Sequence, residues 1–245
     1  MTQRDVVVLF PGALGRAASL RPVLDFLSRH RRPIAIESHE LPLHPERAAE
    51  VIVARLDAFP CARAHYVGFS LGGEVARQAA LVAPDRCASL VLVAAGAPDP
   101  ARGRRIRGRL PLLRLVPAFL LRRRWRRELD ALLRADDPET DAARWRAFDL
   151  LRELSRRELV RARERLAALD ESAVAERVLP DSIPVLRLEP EHDEVISPGE
   201  RARLEKLLPH SVVEAVAGVG HGATLVLPMP LLQRIEAWLD RWSVV

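Results

Sequence analysis

Six short runs in this chain read as strands, Val6–Phe10, Ile34–Glu37, Ala64–Gly68, Ser89–Ala95, Ile183–Glu189 and Ser211–Ala215, and Val6–Phe10 and Ser89–Ala95 are apolar almost throughout. A strand with one wet face alternates apolar and polar residues, so runs that do not alternate must be buried on both faces. The segments between them carry apolar residues at helical spacing. Ser19–Arg29 has Leu20, Val23, Leu24 and Leu27, and Pro45–Phe59 has Val51, Ile52 and Leu56. Gly72–Ala83, Ser197–Leu208 and Pro230–Trp242 follow the same pattern. Strands alternating with helices predict an α/β fold: a mostly parallel sheet covered by helices on both faces.

The alternation stops near Asp99 and resumes at Ile183. Between them Leu110–Leu121, Trp125–Leu133, Ala142–Leu154 and Glu158–Leu169 have helical periodicity and almost no strand signal. The expected organisation is a sheet domain from residues 1–99 and 181–245, with an inserted helical cap at 100–180. About half of the residues are hydrophobic and 29% are charged, ordinary proportions for a globular chain and unlike those of a disordered one. No apolar run is long enough to span a membrane, and the N-terminus has no apolar core of a secretory signal. Cys61 and Cys87 are too few for a disulfide framework, which points to reduced core thiols in a cytoplasmic protein.

Chemistry concentrates at Gly68-Phe69-Ser70-Leu71-Gly72, a G-x-S-x-G between a predicted strand and a predicted helix. The glycines permit a sharp turn that sets the Ser70 hydroxyl at the helix N-terminus, near outward-facing N–H groups. The bland alternative is a serine capping a buried helix. A neutral hydroxyl is a poor nucleophile, so catalysis also needs a base and an acid that orients it. His221 follows a predicted strand on a glycine-rich segment, and Asp193 follows another, giving the order serine, acid, histidine. Glu191 and Glu194 compete with Asp193 by position, and Asp99, after the strand that follows the Gly72–Ala83 helix, is a reserve acid.

Four motifs, LFPGALG, GFSLGG, EHDEVISP and GVGHGATLVLP, make the chain resemble the α/β-hydrolase superfamily of serine esterases with a helical cap, from Val6 to Trp242. The resemblance implies Ser70 as nucleophile, Asp193 as acid and His221 as base, with the N–H groups of Leu71 and Ala13 as oxyanion hole. It implies cleavage of a carboxylic ester or thioester through an acyl-enzyme intermediate, with no metal or organic cofactor. Pro11-Gly12 stands where the family often has His-Gly. The usual opening antiparallel strands are missing, so a shortened sheet is expected.

The charge lies mainly in the cap. Ala101–Pro180 holds 21 arginines against 13 acidic residues, and Ala101–Arg127 has eleven arginines and no acid. Leucines, Val116 and Phe119 are interleaved with them. Such a face is compatible with solvated arginines over an apolar roof, with docking of an acidic partner or anionic substrate group, or with a membrane surface. The chain is also similar to the pimeloyl-acyl-carrier-protein methyl ester esterases, and this implies an acidic acyl-carrier protein as partner. Nucleic acid is not expected, since aromatics are only 4% of residues and no recognition motif accompanies the arginines. Trp125, Trp145 or Phe148 is expected in an apolar acyl pocket. The rival class is a non-catalytic hydrolase-fold protein that binds an acidic partner or membrane through its cap.

Overall fold

The computed structural model describes residues 4–57, 59, 61–133, 137–168 and 176–243; positions 169–175, including the expected helix end at Leu169, lie outside the described residues. Strands β1 (Val6–Phe10), β2 (Arg32–Ala35), β3 (Ala64–Phe69), β4 (Cys87–Val93), β5 (Val185–His192) and β6 (Val212–Gly220) form a six-stranded sheet in the order β2-β1-β3-β4-β5-β6. Every adjacent pair is parallel. Helices α1 (Arg21–Leu27), α2 (Pro45–Leu56) and α3 (Leu71–Val82) connect the first four strands. Four more follow β4: α4 (Pro100–Leu113), α5 (Ala118–Leu132), α6 (Pro138–Glu153) and α7 (Arg156–Ala168). Then α8 (Pro198–Leu207) joins β5 to β6, and α9 (Ala223–Val226) and α10 (Met229–Arg241) close the chain.

The strand period of two divides the core. Val6, Val8 and Phe10 pack with Tyr66, Leu90 and Leu92 against Ile52 and Leu56 of α2, Ala76 and Ala79 of α3, and Leu204 of α8. Val7 and Leu9 point the other way, with Val67, Phe69, Val91 and Val93, onto Val23 of α1 and Ile235 and Leu239 of α10. A third apolar cluster lies within α5–α7, around Trp125, Leu129, Phe148, Leu151 and Leu159. It meets the sheet domain at Ala13, Leu14 and Leu225. Cys87 is buried and Cys61 half-buried, and both are free thiols.

Helix α4 starts at Pro100 and takes in the arginine run, and the helix expected over Leu110–Leu121 is broken at 114–117. Pro117 explains the break. It has no N–H to donate to Leu113, and its ring disfavours helical geometry in the residue before it. Leu115 and Val116 instead make tight turns onto the Leu112 and Leu113 carbonyls. Helix α3, composed mainly of small residues, nevertheless buries Glu74, Arg77 and Gln78. Arg77 forks onto Glu74 at 2.9 and 2.7 Å, and Gln78 donates to the same carboxylate at 2.7 Å, so these buried polar groups are mutually satisfied.

His65 of β3 is fully buried, with Nδ1 2.8 Å from Ser89 Oγ. Burial pushes its pKa down to about 4, against a smaller upward pull from Asp5. The folded state therefore resists a proton that the unfolded chain accepts. This contribution to stability is complete above the ordinary histidine range and is lost as pH falls through the folded value. From pH 7 to about pH 4 the protein should lose roughly 3 kcal/mol more stability than a His65→Gln variant, measured by urea unfolding at each pH. Equal losses in the two proteins would contradict this.

Candidate active site

The sheet order reverses around β1, whose neighbours are β2 and β3. The crevice beyond the strand ends at such a point is where open α/β sheets place ligands. Ser70 follows β3 there, between the strand and α3, with φ 51° and ψ −120°. A positive φ is costly for any residue with a side chain and persists only where surroundings enforce it. They do so here: Ser70 N–H donates to the Val93 carbonyl at 2.9 Å, and Gly73 N–H donates back to the Ser70 carbonyl at 2.9 Å. The flanking glycines are required by close approach. A Cβ on Gly68 would lie 2.5 Å from the Gly73 Cα, and one on Gly72 would strike the carbonyl oxygens of Phe10 and Pro11.

Asp193 and His221 meet through sheet register. β5 and β6 end on the pair His192 and Gly220, after an irregularity between Pro190 and His192, so the residues that follow the two strands emerge side by side. The expected glycine-rich segment before His221 is the end of β6, which runs to Gly220 instead of stopping near Ala215. His221 Nδ1 lies 3.1 and 3.0 Å from the two oxygens of Asp193. Its Nε2 lies 2.9 Å from Ser70 Oγ. Both side chains of the acid–imidazole pair are almost completely buried.

Asp193 Oδ1 also accepts the N–H groups of Val195 and Ile196, each at 2.9 Å. Burial alone would raise this carboxyl's pKa. The hydrogen bond and charge of His221, with the two backbone donors, outweigh it and hold the pKa below the usual carboxylate value. The two positional rivals have other partners: Glu194 accepts the backbone N–H of His221 at 3.3 Å, and Glu191 that of Gly218 at 3.0 Å. Asp99 caps α4 by accepting the Ala101 N–H at 2.9 Å, and does not reach the imidazole.

Ser70, Leu71, Ala13 and His221 line one cavity of about 540 Å³. Its far wall comes from the inserted helices: Ile106 of α4, Trp125, Leu129 and Leu132 of α5, and Leu166 of α7. Of the three expected pocket aromatics, only Trp125 lines it. Trp145 is 62% exposed, and Phe148 lies within the α5–α7 cluster beneath Arg126. Arg102, Arg105 and Arg109 line the cavity as well, a contribution that sequence reasoning missed. Their spacing of three and four residues was the available signal, since it puts them on one face of a helix. Arg102 is bound to Glu200 at 2.7 Å. Within the acid-free arginine run, Arg122 donates to the Leu151 and Leu154 carbonyls and so ties α5 to α6, while Arg124 pairs with Glu128 one turn on in its own helix.

A model of the alpha/beta hydrolase fold matches residues 5–226. A Caulobacter vibrioides protein named as carbamate hydrolase RutD is 30% identical, over 97% of this chain and 91% of that protein. A hydrolase from Pseudomonas aeruginosa superposes with a TM-score of 0.80 at 19% identity, covering 98% of this chain and 91% of that one. A thermophilic esterase from Thermogutta terrifontis does so with a TM-score of 0.78 at 17% identity, covering 98% and 90%. With the sheet order, the serine turn and a family match spanning nearly all of its length, this chain belongs to the α/β-hydrolase fold family.

Proposed function

We propose that the protein is a serine hydrolase that cleaves a carboxylic ester or thioester through an acyl-enzyme intermediate. One observation carries the reading: the unbroken contact from Ser70 Oγ through the His221 ring to Asp193. His221 Nε2 takes the Ser70 proton as the hydroxyl attacks the substrate carbonyl, and returns it to the leaving alcohol or thiol. Asp193 holds Nδ1–H, fixing the tautomer and stabilising the imidazolium. The N–H groups of Leu71, at the start of α3, and Ala13, in the turn after β1, serve the tetrahedral oxyanion, each donor contributing on the order of 3 kcal/mol. Water activated by His221 then releases the acid. The strain at Ser70 supports catalysis over a purely binding role, because a serine that only capped a helix would gain nothing from a positive φ.

The wall of Ile106, Trp125, Leu129 and Leu132 suits an apolar acyl chain. Hydrolysis of nitrophenyl esters and acyl thioesters of graded chain length tests the proposal, with a carbamate as a third arm because of the name of the Caulobacter relative. Turnover of esters or thioesters is expected. A folded protein that hydrolyses none of them would overturn the reading, and turnover of the carbamate alone would replace the substrate class. Within the ester series, Ile106→Trp should lower kcat/KM about tenfold for long acyl chains and leave the shortest nearly unchanged, since a narrowed pocket rejects added methylenes. A uniform loss along the series would remove Ile106 from the acyl wall.

A further inference from the structure

We propose that the α4–α5 turn, residues 112–120, is a docking surface for an anionic lipid bilayer. Large apolar side chains are conspicuously uncovered there: Leu112 is 67% exposed, Leu115 79%, Phe119 66% and Leu120 42%. Single exposed leucines are commonplace, but four large apolar side chains within nine residues form a patch, and patches mark interaction surfaces. Cations surround it. Arg109 and Arg123 flank the turn on α4 and α5, and both are exposed. Arg156, at the start of α7, donates to the Val116 carbonyl at 3.0 Å, and the exposed Arg157 is the next residue along the helix.

Acids do not cancel this charge. There is none in Ala101–Arg127, and those of α7 are already paired, Glu158 with Arg16 at 2.5 Å and Glu164 with Arg114 at 2.7 Å. Helix α6 adds Asp149, paired with Arg152, and an exposed Glu153. Apolar side chains at the point of a turn with arginines behind them match a bilayer interface: the leucines and phenylalanine enter the headgroup boundary while the guanidinium groups meet anionic lipid. A second copy is the poorer occupant, because two such turns would face each other with cations and no acid within the segment to receive them. A protein partner would need a groove shaped to a convex turn, whereas a bilayer needs none.

The α4–α5 turn also continues the cavity wall, since Arg109 and Trp125, the lining residues nearest to it on α4 and α5, lie within two helical turns of it. Docking would therefore set the cavity roof at the lipid surface. The proposal goes beyond the ester-hydrolase reading and stands without it, because binding needs no working Ser70.

Co-sedimentation with phosphatidylcholine vesicles, with and without phosphatidylglycerol, tests it on the full chain. The protein should sediment with phosphatidylglycerol vesicles at low salt, far less with pure phosphatidylcholine, and progressively less as salt rises. Leu115→Glu with Phe119→Glu should lower partitioning at least about tenfold, and Arg123→Ser with Arg157→Ser should do so by a similar factor, both with unchanged circular dichroism. Ser70→Ala should bind like the unmodified chain. Absence of binding to phosphatidylglycerol vesicles at low salt overturns the proposal. So does undiminished binding by the Leu115/Phe119 variant, or a dimer in sedimentation velocity that this variant dissolves.

Discussion

Replacing Ser70 with alanine is expected to lower kcat by about 10⁴- to 10⁶-fold on any ester the protein hydrolyses, with residual turnover set by the oxyanion donors and substrate binding. The fold should be unaffected, because the contacts that hold the turn run through the Ser70 backbone and not its hydroxyl. A second substitution separates strain from chemistry. At φ 51° alanine keeps the strain of a Cβ and glycine does not, so Ser70→Gly should be as inactive as Ser70→Ala but more stable by about 1 kcal/mol. Kinetics on a nitrophenyl ester and urea unfolding of the three proteins provide both readings. A Ser70→Ala protein within tenfold of wild-type activity would remove Ser70 as nucleophile, and equal stabilities would remove the strain.

Asp193→Asn should cost about 10⁴-fold in kcat. An amide in its place donates where the carboxylate accepts, which favours the wrong imidazole tautomer and leaves the developing imidazolium without a counter-charge. Asp99→Asn should retain activity and stability, because asparagine caps a helix as well as aspartate does and the Asp99 side chain serves the start of α4. The pair distinguishes the two acids that chain order left open. Asp193 also implies a pH dependence. Its pKa is held below the unfolded value, so its stabilisation is complete above the ordinary aspartate range and disappears as pH falls through the folded value. The stability gap between wild type and Asp193→Asn should accordingly close only in strong acid.

What could be read in the sequence was what depends on local pattern. Apolar runs marked the inner strands, since β1, β3 and β4 are buried along their whole length, whereas β6, at the sheet edge, is largely exposed and its run is mixed. The serine turn was readable because the close approach at Gly68 and Gly72 excludes other residues. The order of Ser70, Asp193 and His221 was visible, but their meeting was not. It depends on the β5–β6 register, with His192 opposite Gly220 after an irregularity that no local pattern encodes. The inserted helices were least readable. Pro117 breaks what leucine spacing read as one helix, and the arginines of α4 divide between cavity, internal partners and surface according to a helix face that begins earlier than the apolar pattern did. Trp145 and Trp125 look equivalent in composition, yet only the latter faces the cavity.

If Ser70 is activated by His221 and forms a covalent acyl-enzyme, its hydroxyl also reacts with a phosphonylating probe. Labelling with a fluorophosphonate, followed by intact mass and peptide mapping, tests this most directly. A single adduct on the peptide containing Ser70 is predicted, formed much more slowly in a His221→Ala protein and absent from Ser70→Ala. A folded protein that takes up no label, or takes it up at another residue with Ser70 untouched, would show that Ser70 is not an activated nucleophile.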